Sequence, residues 1–290
     1  MTAHNRGASV PHFLIAQSEL PQEREARRRR AGKSSGETYA ATLAQMRPGV
    51  ATTIVSPTDD DTPTFTAERL ARFDAVFLTG SPMHVYDDGP EVRRQLEFMC
   101  RVFASGTPSF GSCAGLQIAV AAAGGRVRKM PERMEAGIAR RISATEAGRT
   151  HPLLAGRPPS WDAAALHGDE VLELPAGATL LASNAVTQVQ AAEIRHDGGV
   201  FWGVQYHPEL ALREIAIAIA AQADELLEAG LADSQDDVEA RARDIDALHD
   251  APDRRALHWR LGVDGEFAEE RLRRREIANF LASLPDLRTD

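Results

Sequence analysis

Short apolar runs separated by longer stretches with helical spacing set the rhythm of the first half of this chain. Residues 13–16, 51–55 and 75–79 read as strands, the third closed by the turn signal Gly80-Ser81-Pro82. Over residues 91–103 the apolar positions Val92, Leu96, Met99 and Phe103 fall along one helical face. A brief strand near residues 107–110 runs into Gly111, and residues 117–123 read as a small-residue helix stopped by Gly124-Gly125. Strands alternating with helices predict parallel βαβ units.

The middle of the chain changes character. Residues 137–143, 179–182, 189–194 and 200–205 predict strands, with turns at Pro175-Ala176-Gly177 and His196-Asp197-Gly198-Gly199. That spacing suits antiparallel additions to the sheet. A helix is predicted over about residues 212–228, with Gly230 as its stop. Residues 233–290 are charged but carry apolar anchors at Leu248, Leu257, Trp259, Leu261, Phe267, Leu272, Ile277, Phe280 and Leu281. Two or three amphipathic helices packed on the main domain are expected there. The expected fold is α/β: a flavodoxin-like, mainly parallel sheet flanked by helices, with a small antiparallel addition and a C-terminal helical extension. Residues 1–232 form the main domain in this reading, and residues 233–290 the extension.

Composition changes this picture mostly by exclusion. A chain of 290 residues, 43% hydrophobic and 26% charged, can bury a core without covalent staples. Its net charge of −9 argues against a nucleic-acid partner, since phosphate neutralisation needs a basic surface. The two cysteines, Cys100 and Cys113, fit a reducing compartment. No stretch approaches the roughly 20 apolar residues of a membrane span, and residues 13–16 are too short for a secretory signal. A cytoplasmic protein with no membrane partner is expected. The run Arg27-Arg28-Arg29-Arg30 reads first as a solvated face. Its second reading is a segment that, with Ser34, Ser35 and Glu37, overhangs a pocket and selects a leaving group. Tyr86-Asp87-Asp88 with His84 does not complete a ligand set, so no metal is expected. No nucleotide-binding signature appears, and no cofactor is expected.

The chemistry concentrates in two places. Gly111-Ser112-Cys113-Ala114-Gly115 follows a strand and precedes a helix. A nucleophile on such a sharp turn needs small neighbours, and the helix that follows aims its N-terminal amides at the sulfur. Residues 200–206 then deliver His207-Pro208-Glu209 at a strand end. Side chains alternate along extended backbone, so His207 and Glu209 can share a side, and a carboxylate beside an imidazole fixes its tautomer and supports its cation. Alone, the first motif also describes a buried cysteine in a turn, and the second an ordinary solvated turn. Together they supply nucleophile, base and orienter.

Gly111-Ser112-Cys113-Ala114-Gly115-Leu116-Gln117 together with Gly203-Val204-Gln205-Tyr206-His207-Pro208-Glu209 resembles the class I glutamine amidotransferases. His167-Gly168-Asp169-Glu170-Val171, Leu174-Pro175 and Leu181-Ala182-Ser183 are similar to the amidotransferase domain of GMP synthase, and Leu78-Thr79-Gly80-Ser81-Pro82 to the family's oxyanion loop. The resemblance implies Cys113 as nucleophile, His207 as base and acid, and Glu209 as its orienter. It also implies oxyanion donors at the amides of Ala114 and of Gly80 or Ser81. Gln117 matches a substrate-contacting glutamine, whose other reading is a buried or capping amide, and Thr187, Gln188 and Val189 match a strand lining the amino-acid pocket. Leu116, Ala114 and Ser81 depart from residues common in the family. The implied reaction is hydrolysis of glutamine to glutamate and ammonia through a γ-glutamyl thioester, with a separate synthetase or transferase as ammonia acceptor. A free-standing hydrolase of a γ-glutamyl polyamine or peptide, and a non-catalytic binding module, are the alternatives. The oligomeric state is left open.

Overall fold

The computed structural model describes residues 10–131 and 134–288. Eleven strands occur in these residues: β1 His12–Ala16, β2 Ala51–Val55, β3 Ala75–Leu78, β4 Ser109–Ser112, β5 Arg126–Lys129, β6 Glu135–Ala144, β7 Ser160–His167, β8 Asp169–Glu173, β9 Ala178–Ser183, β10 Ala191–His196 and β11 Gly199–Val204. Nine form one sheet in the order β2-β1-β3-β4-β11-β10-β9-β6-β7, while β5 and β8 pair separately. From β2 to β11 the pairings are parallel; from β11 onward they are antiparallel. The carboxyl ends of β1, β3, β4 and β11 therefore share one edge, where ligands of open α/β sheets bind.

Strands covered on both faces need apolar side chains at nearly every position. In β1, Phe13 and Ile15 enter one layer with Phe77, Phe110 and Trp202, whereas Leu14 and Ala16 enter the other with Val76, Leu78 and Phe201. The first layer is closed by Tyr39 and Leu43 of the helix Ser35–Met46 and by Ile277 and Phe280 of the helix Arg275–Leu287. The opposite layer is closed by the helices Pro90–Ala104 and Ala114–Ala122, through Phe98, Met99, Leu116 and Ile118. A third cluster joins Ile138 and Ala164 of the antiparallel strands to Ile215, Ile219, Ile245, Leu248, Leu257 and Phe267.

Several sequence expectations change in the structure. The helix expected over residues 212–228 breaks at Gln222 into Leu212–Ala221 and Ala223–Glu228. Past residue 233 the described residues form five helices rather than two or three. Trp259, an expected anchor, is 86% exposed, while Leu257 and Leu261 on the same helix are buried. The helix Pro21–Ala31 has no apolar stripe to announce it, because its sequence is almost wholly polar; Pro21 at its first turn and Glu23 reaching back to the Leu20 amide start it. The next helix carried a readable signal, the capping pair Ser34 and Glu37.

Candidate active site

Cys113 sits between β4 and the helix Ala114–Ala122 with φ 53 and ψ −112, a conformation that non-glycine residues rarely adopt. Strain of this kind persists only where the surroundings fix it. The Cys113 amide donates to Val204 O at 2.9 Å, tying the turn to β11. Glycine is required at position 115, since a Cβ there would lie 2.5 Å from Leu78 O. The amides of Ala114 and Gly115 begin the helix, where no preceding turn supplies acceptors.

His207 and Glu209 follow β11 on the same sheet edge. His207 Nδ1 bonds Glu209 Oε1 at 2.8 Å, and the His207 amide donates to Ala164 O at 2.8 Å. The imidazole and the Cys113 sulfur line the same cavity. All three residues are buried. Gly80 packs between them: a Cβ there would lie 2.8 Å from His207 Cε1 and 3.6 Å from Cys113 Cβ. The Gly80 loop is held by the Thr79 hydroxyl, which accepts from the Ser18 amide at 3.1 Å and from the Ser35 hydroxyl at 2.9 Å.

Burial disfavours the imidazolium, but Glu209 and Cys113 beside it outweigh that cost and lift the His207 pKa to about 10. A group whose pKa rises on folding stabilises the fold fully below its ordinary value, near 6.5, and loses that contribution as pH rises through about 10. Nitrogen-15 NMR of His207 should therefore report the imidazolium well past pH 8. Denaturant midpoints should fall between about pH 6.5 and 10 more steeply in the wild type than in His207→Asn. A neutral ring at pH 8 contradicts this electrostatic picture.

Cys113, His207, Glu209, Gly80 and Ser81 line one cavity of about 380 Å³, within the roughly 300–1,000 Å³ usual for small-molecule sites. The helices Pro21–Ala31 and Leu212–Ala221 form its outer walls. The arginine run is thus only in part a solvated face. Arg29 is exposed, yet Arg27 faces the cavity and pairs with Glu214 at 3.1 Å.

The other expected pocket residues lie elsewhere. Gln117 is buried one turn beyond Cys113, its amide donating to Asp169 O at 3.2 Å and Gln205 Oε1 at 3.3 Å. Thr187, Gln188 and Val189 are not in a strand: they form a loop ahead of β10, which begins only at Ala191. The Thr187 hydroxyl donates to Glu135 at 2.9 Å, Val189 packs in the sheet layer, and Gln188 lines a second cavity with Arg128 and Glu170. Glu135 also accepts from His167, Asn184 and Gln190, making it the centre of a buried polar cluster that no sequence pattern announces.

The model of the family "Glutamine amidotransferase class-I" matches residues 32–223. A γ-glutamyl-L-1-hydroxyisopropylamide hydrolase of a Pseudomonas species is 34% identical over 280 residues, covering 94% of this chain and 92% of the relative. The glutamine-hydrolysing GMP synthase of Leifsonia xyli is 35% identical over 145 residues, 50% of this chain and only 27% of that enzyme. Among solved structures, a glutamine amidotransferase of Thermotoga maritima superposes with a TM-score of 0.66 at 15% identity, covering 95% of this chain and 98% of its own. That last likeness speaks to the fold.

Proposed function

The chain belongs to the class-I glutamine amidotransferase family, and from that premise we propose that it hydrolyses a γ-glutamyl amide with Cys113 as nucleophile, His207 as acid and base, and Glu209 as its orienter. The supporting observation is the convergence of a strained Cys113 and a Glu209-bonded His207 on one cavity. The sulfur attacks the γ-carbonyl carbon while the amides of Ala114 and of Gly80 or Ser81 receive the developing oxyanion. His207 then protonates the amine nitrogen, the carbon–nitrogen bond breaks, and a γ-glutamyl thioester remains on Cys113. Water, losing its proton to His207, attacks that thioester, and glutamate leaves as the proton returns to sulfur.

Two features favour a substituted amide over glutamine. The cavity continues past Cys113 between two helices, and a relative that covers 94% of the chain is named for a substituted γ-glutamyl amide. The similarity to half of the chain in GMP synthases supports the second reading, glutamine hydrolysis with ammonia passed to a separate synthetase or transferase. A cysteine nucleophile works best where thiols stay reduced, which favours the cytoplasm. Rates of amine and ammonia release from glutamine and from N-alkyl γ-glutamyl amides decide between the readings. The first expects the alkyl amides to exceed glutamine by at least about tenfold in kcat/KM; glutamine turnover that dominates and rises with an acceptor enzyme supports the second.

A further inference from the structure

The outer part of the cavity has a chemistry of its own. Ala26 of the helix Pro21–Ala31 and Ile217 and Ala218 of the helix Leu212–Ala221 give it apolar walls, and Glu19, Glu23 and Glu214 add carboxylates. The charges are unequally settled. Glu214 accepts from Arg27 at 3.1 Å, from the Thr38 hydroxyl at 2.8 Å and from the Ala211 amide at 3.1 Å. Glu19 accepts from the Ser35 amide at 2.9 Å and lies 3.8 Å from Arg27 Nε. Glu23 is different. One of its oxygens accepts the Leu20 amide at 2.8 Å, and among the described residues no cation pairs with the carboxylate.

The neighbouring basic side chains are committed elsewhere. Arg24 is bound to Asp59 at 2.5 Å, His84 to Asp169 at 2.6 Å, and Arg27 to Glu214. Burial pushes the Glu23 pKa up and Glu19 adds to the rise, against the Leu20 amide and the more distant Arg24 and His84, which lower it without pairing with it. A half-buried carboxylate with one oxygen on a backbone amide and no paired cation keeps its second oxygen open to a donor. Arg30 also reaches the cavity lining, but it is exposed, where solvent screens a charge.

We propose that Glu23 receives the far end of the leaving amine, so that the preferred substrates are γ-glutamyl amides of short aliphatic amines ending in a hydrogen-bond donor, hydroxyl or ammonium. This rests on the reading of Cys113 as a γ-glutamyl amide hydrolase nucleophile. The amine's carbon chain lies along Ala26, Ile217 and Ala218, which offer it no polar contact. A carboxylate end is repelled by Glu23 and Glu19 together. Glu23 is thus a specificity residue, distant from the bond that breaks.

The test compares kcat/KM for four γ-glutamyl amides of matched chain length, ending in methyl, hydroxyl, ammonium or carboxylate, on wild type, Glu23→Gln and Ala218→Phe. Glutamine serves as the reference substrate. The donor-ended amides should exceed the methyl-ended one by about tenfold, with the carboxylate lowest. Glu23→Gln, whose side chain still serves the capping box, should reduce the ammonium-to-methyl ratio at least about fivefold. Ala218→Phe should lower all four amides relative to glutamine by filling the slot. A wild type that prefers the carboxylate, or an ammonium-to-methyl ratio unmoved in Glu23→Gln, overturns the proposal while leaving the hydrolase reading standing. Failure of the wild type on every amide and on glutamine overturns both.

Discussion

Replacing Cys113 with alanine is expected to lower γ-glutamyl amide hydrolysis by roughly 10⁴- to 10⁶-fold, the scale seen when a covalent nucleophile is removed. In the proposed cycle the sulfur is the atom that bonds the γ-carbonyl, and neither His207 nor the turn amides can substitute for that bond. What persists is positioning and oxyanion stabilisation alone. The loss should come without unfolding. Cys113 is buried in a turn whose backbone is held by Val204 and the close-packed Gly115, and deleting one sulfur removes little volume, about 1 kcal/mol of packing. Thermal melts alongside amine release separate the two effects. A variant that keeps its melting temperature and runs within tenfold of the wild type contradicts the assignment.

The largest effect on stability is expected far from the sulfur. Glu276, fully buried on the helix Arg275–Leu287, accepts from Tyr206 OH at 2.7 Å and from Arg157 at 2.7 and 2.8 Å. Arg157 also pairs with Glu266 at 2.7 Å. Burial disfavours the charge on Arg157, yet Glu276 and its neighbours hold the guanidinium protonated well beyond its ordinary range. Glu276→Ala leaves a buried guanidinium half-compensated and a buried phenol without its acceptor, a loss of about 3–5 kcal/mol. Denaturant titration should show a lowered midpoint with an unchanged slope. Because Tyr206 immediately precedes His207, the same variant should also weaken catalysis in whatever fraction stays folded. Tyr206→Phe, which strands no charge, should cost only about 1 kcal/mol. A drop of less than about 1 kcal/mol for Glu276→Ala would show the network to be replaceable by water.

How much of this was legible in the sequence follows from what each element depends on. The parallel strands β1, β2 and β3 were readable because their own side chains drive them: Phe13-Leu14-Ile15-Ala16 is apolar at every position, as a doubly covered strand must be. The cysteine turn and the His-x-Glu strand end were readable because their chemistry constrains neighbouring residue types. Elements held by distant partners were not. The strand Ser160–His167 is alanine-rich and gains its place from β6 and from Ile215 and Ile219 across the third cluster. The helix Pro21–Ala31 has little apolar content, and its Arg27 is fixed by Glu214, 187 positions away. Thr187, Gln188 and Val189 match a family strand by resemblance alone. The Asn184 side chain instead accepts the amides of Val186 and Thr187 and holds that stretch as a turn. Trp259 sits among apolar anchors in sequence, yet the helical face that packs is the one bearing Leu257 and Leu261.

The C-terminal helices have a clear physical role in this arrangement. Ile277, Phe280 and Leu284 belong to the same apolar layer as Phe77, Phe110 and Trp202, and Glu276 reaches Tyr206 beside the candidate base. Arg274, next along the same segment, has its pKa lowered by burial and raised in part by Glu270, Glu214 and Glu209. The segment after residue 233 thus buttresses the sheet edge that carries His207 and Glu209.

Covalent capture of the acyl group puts the account under its most direct trial. Wild-type protein mixed with a γ-glutamyl amide, quenched in acid during turnover and mapped by peptide mass should carry a γ-glutamyl group on the peptide containing Cys113, and none on that containing Cys100. Steady hydrolysis with no such adduct, or with the acyl group on another side chain, would mean that the sulfur facing His207 is not where the substrate is held.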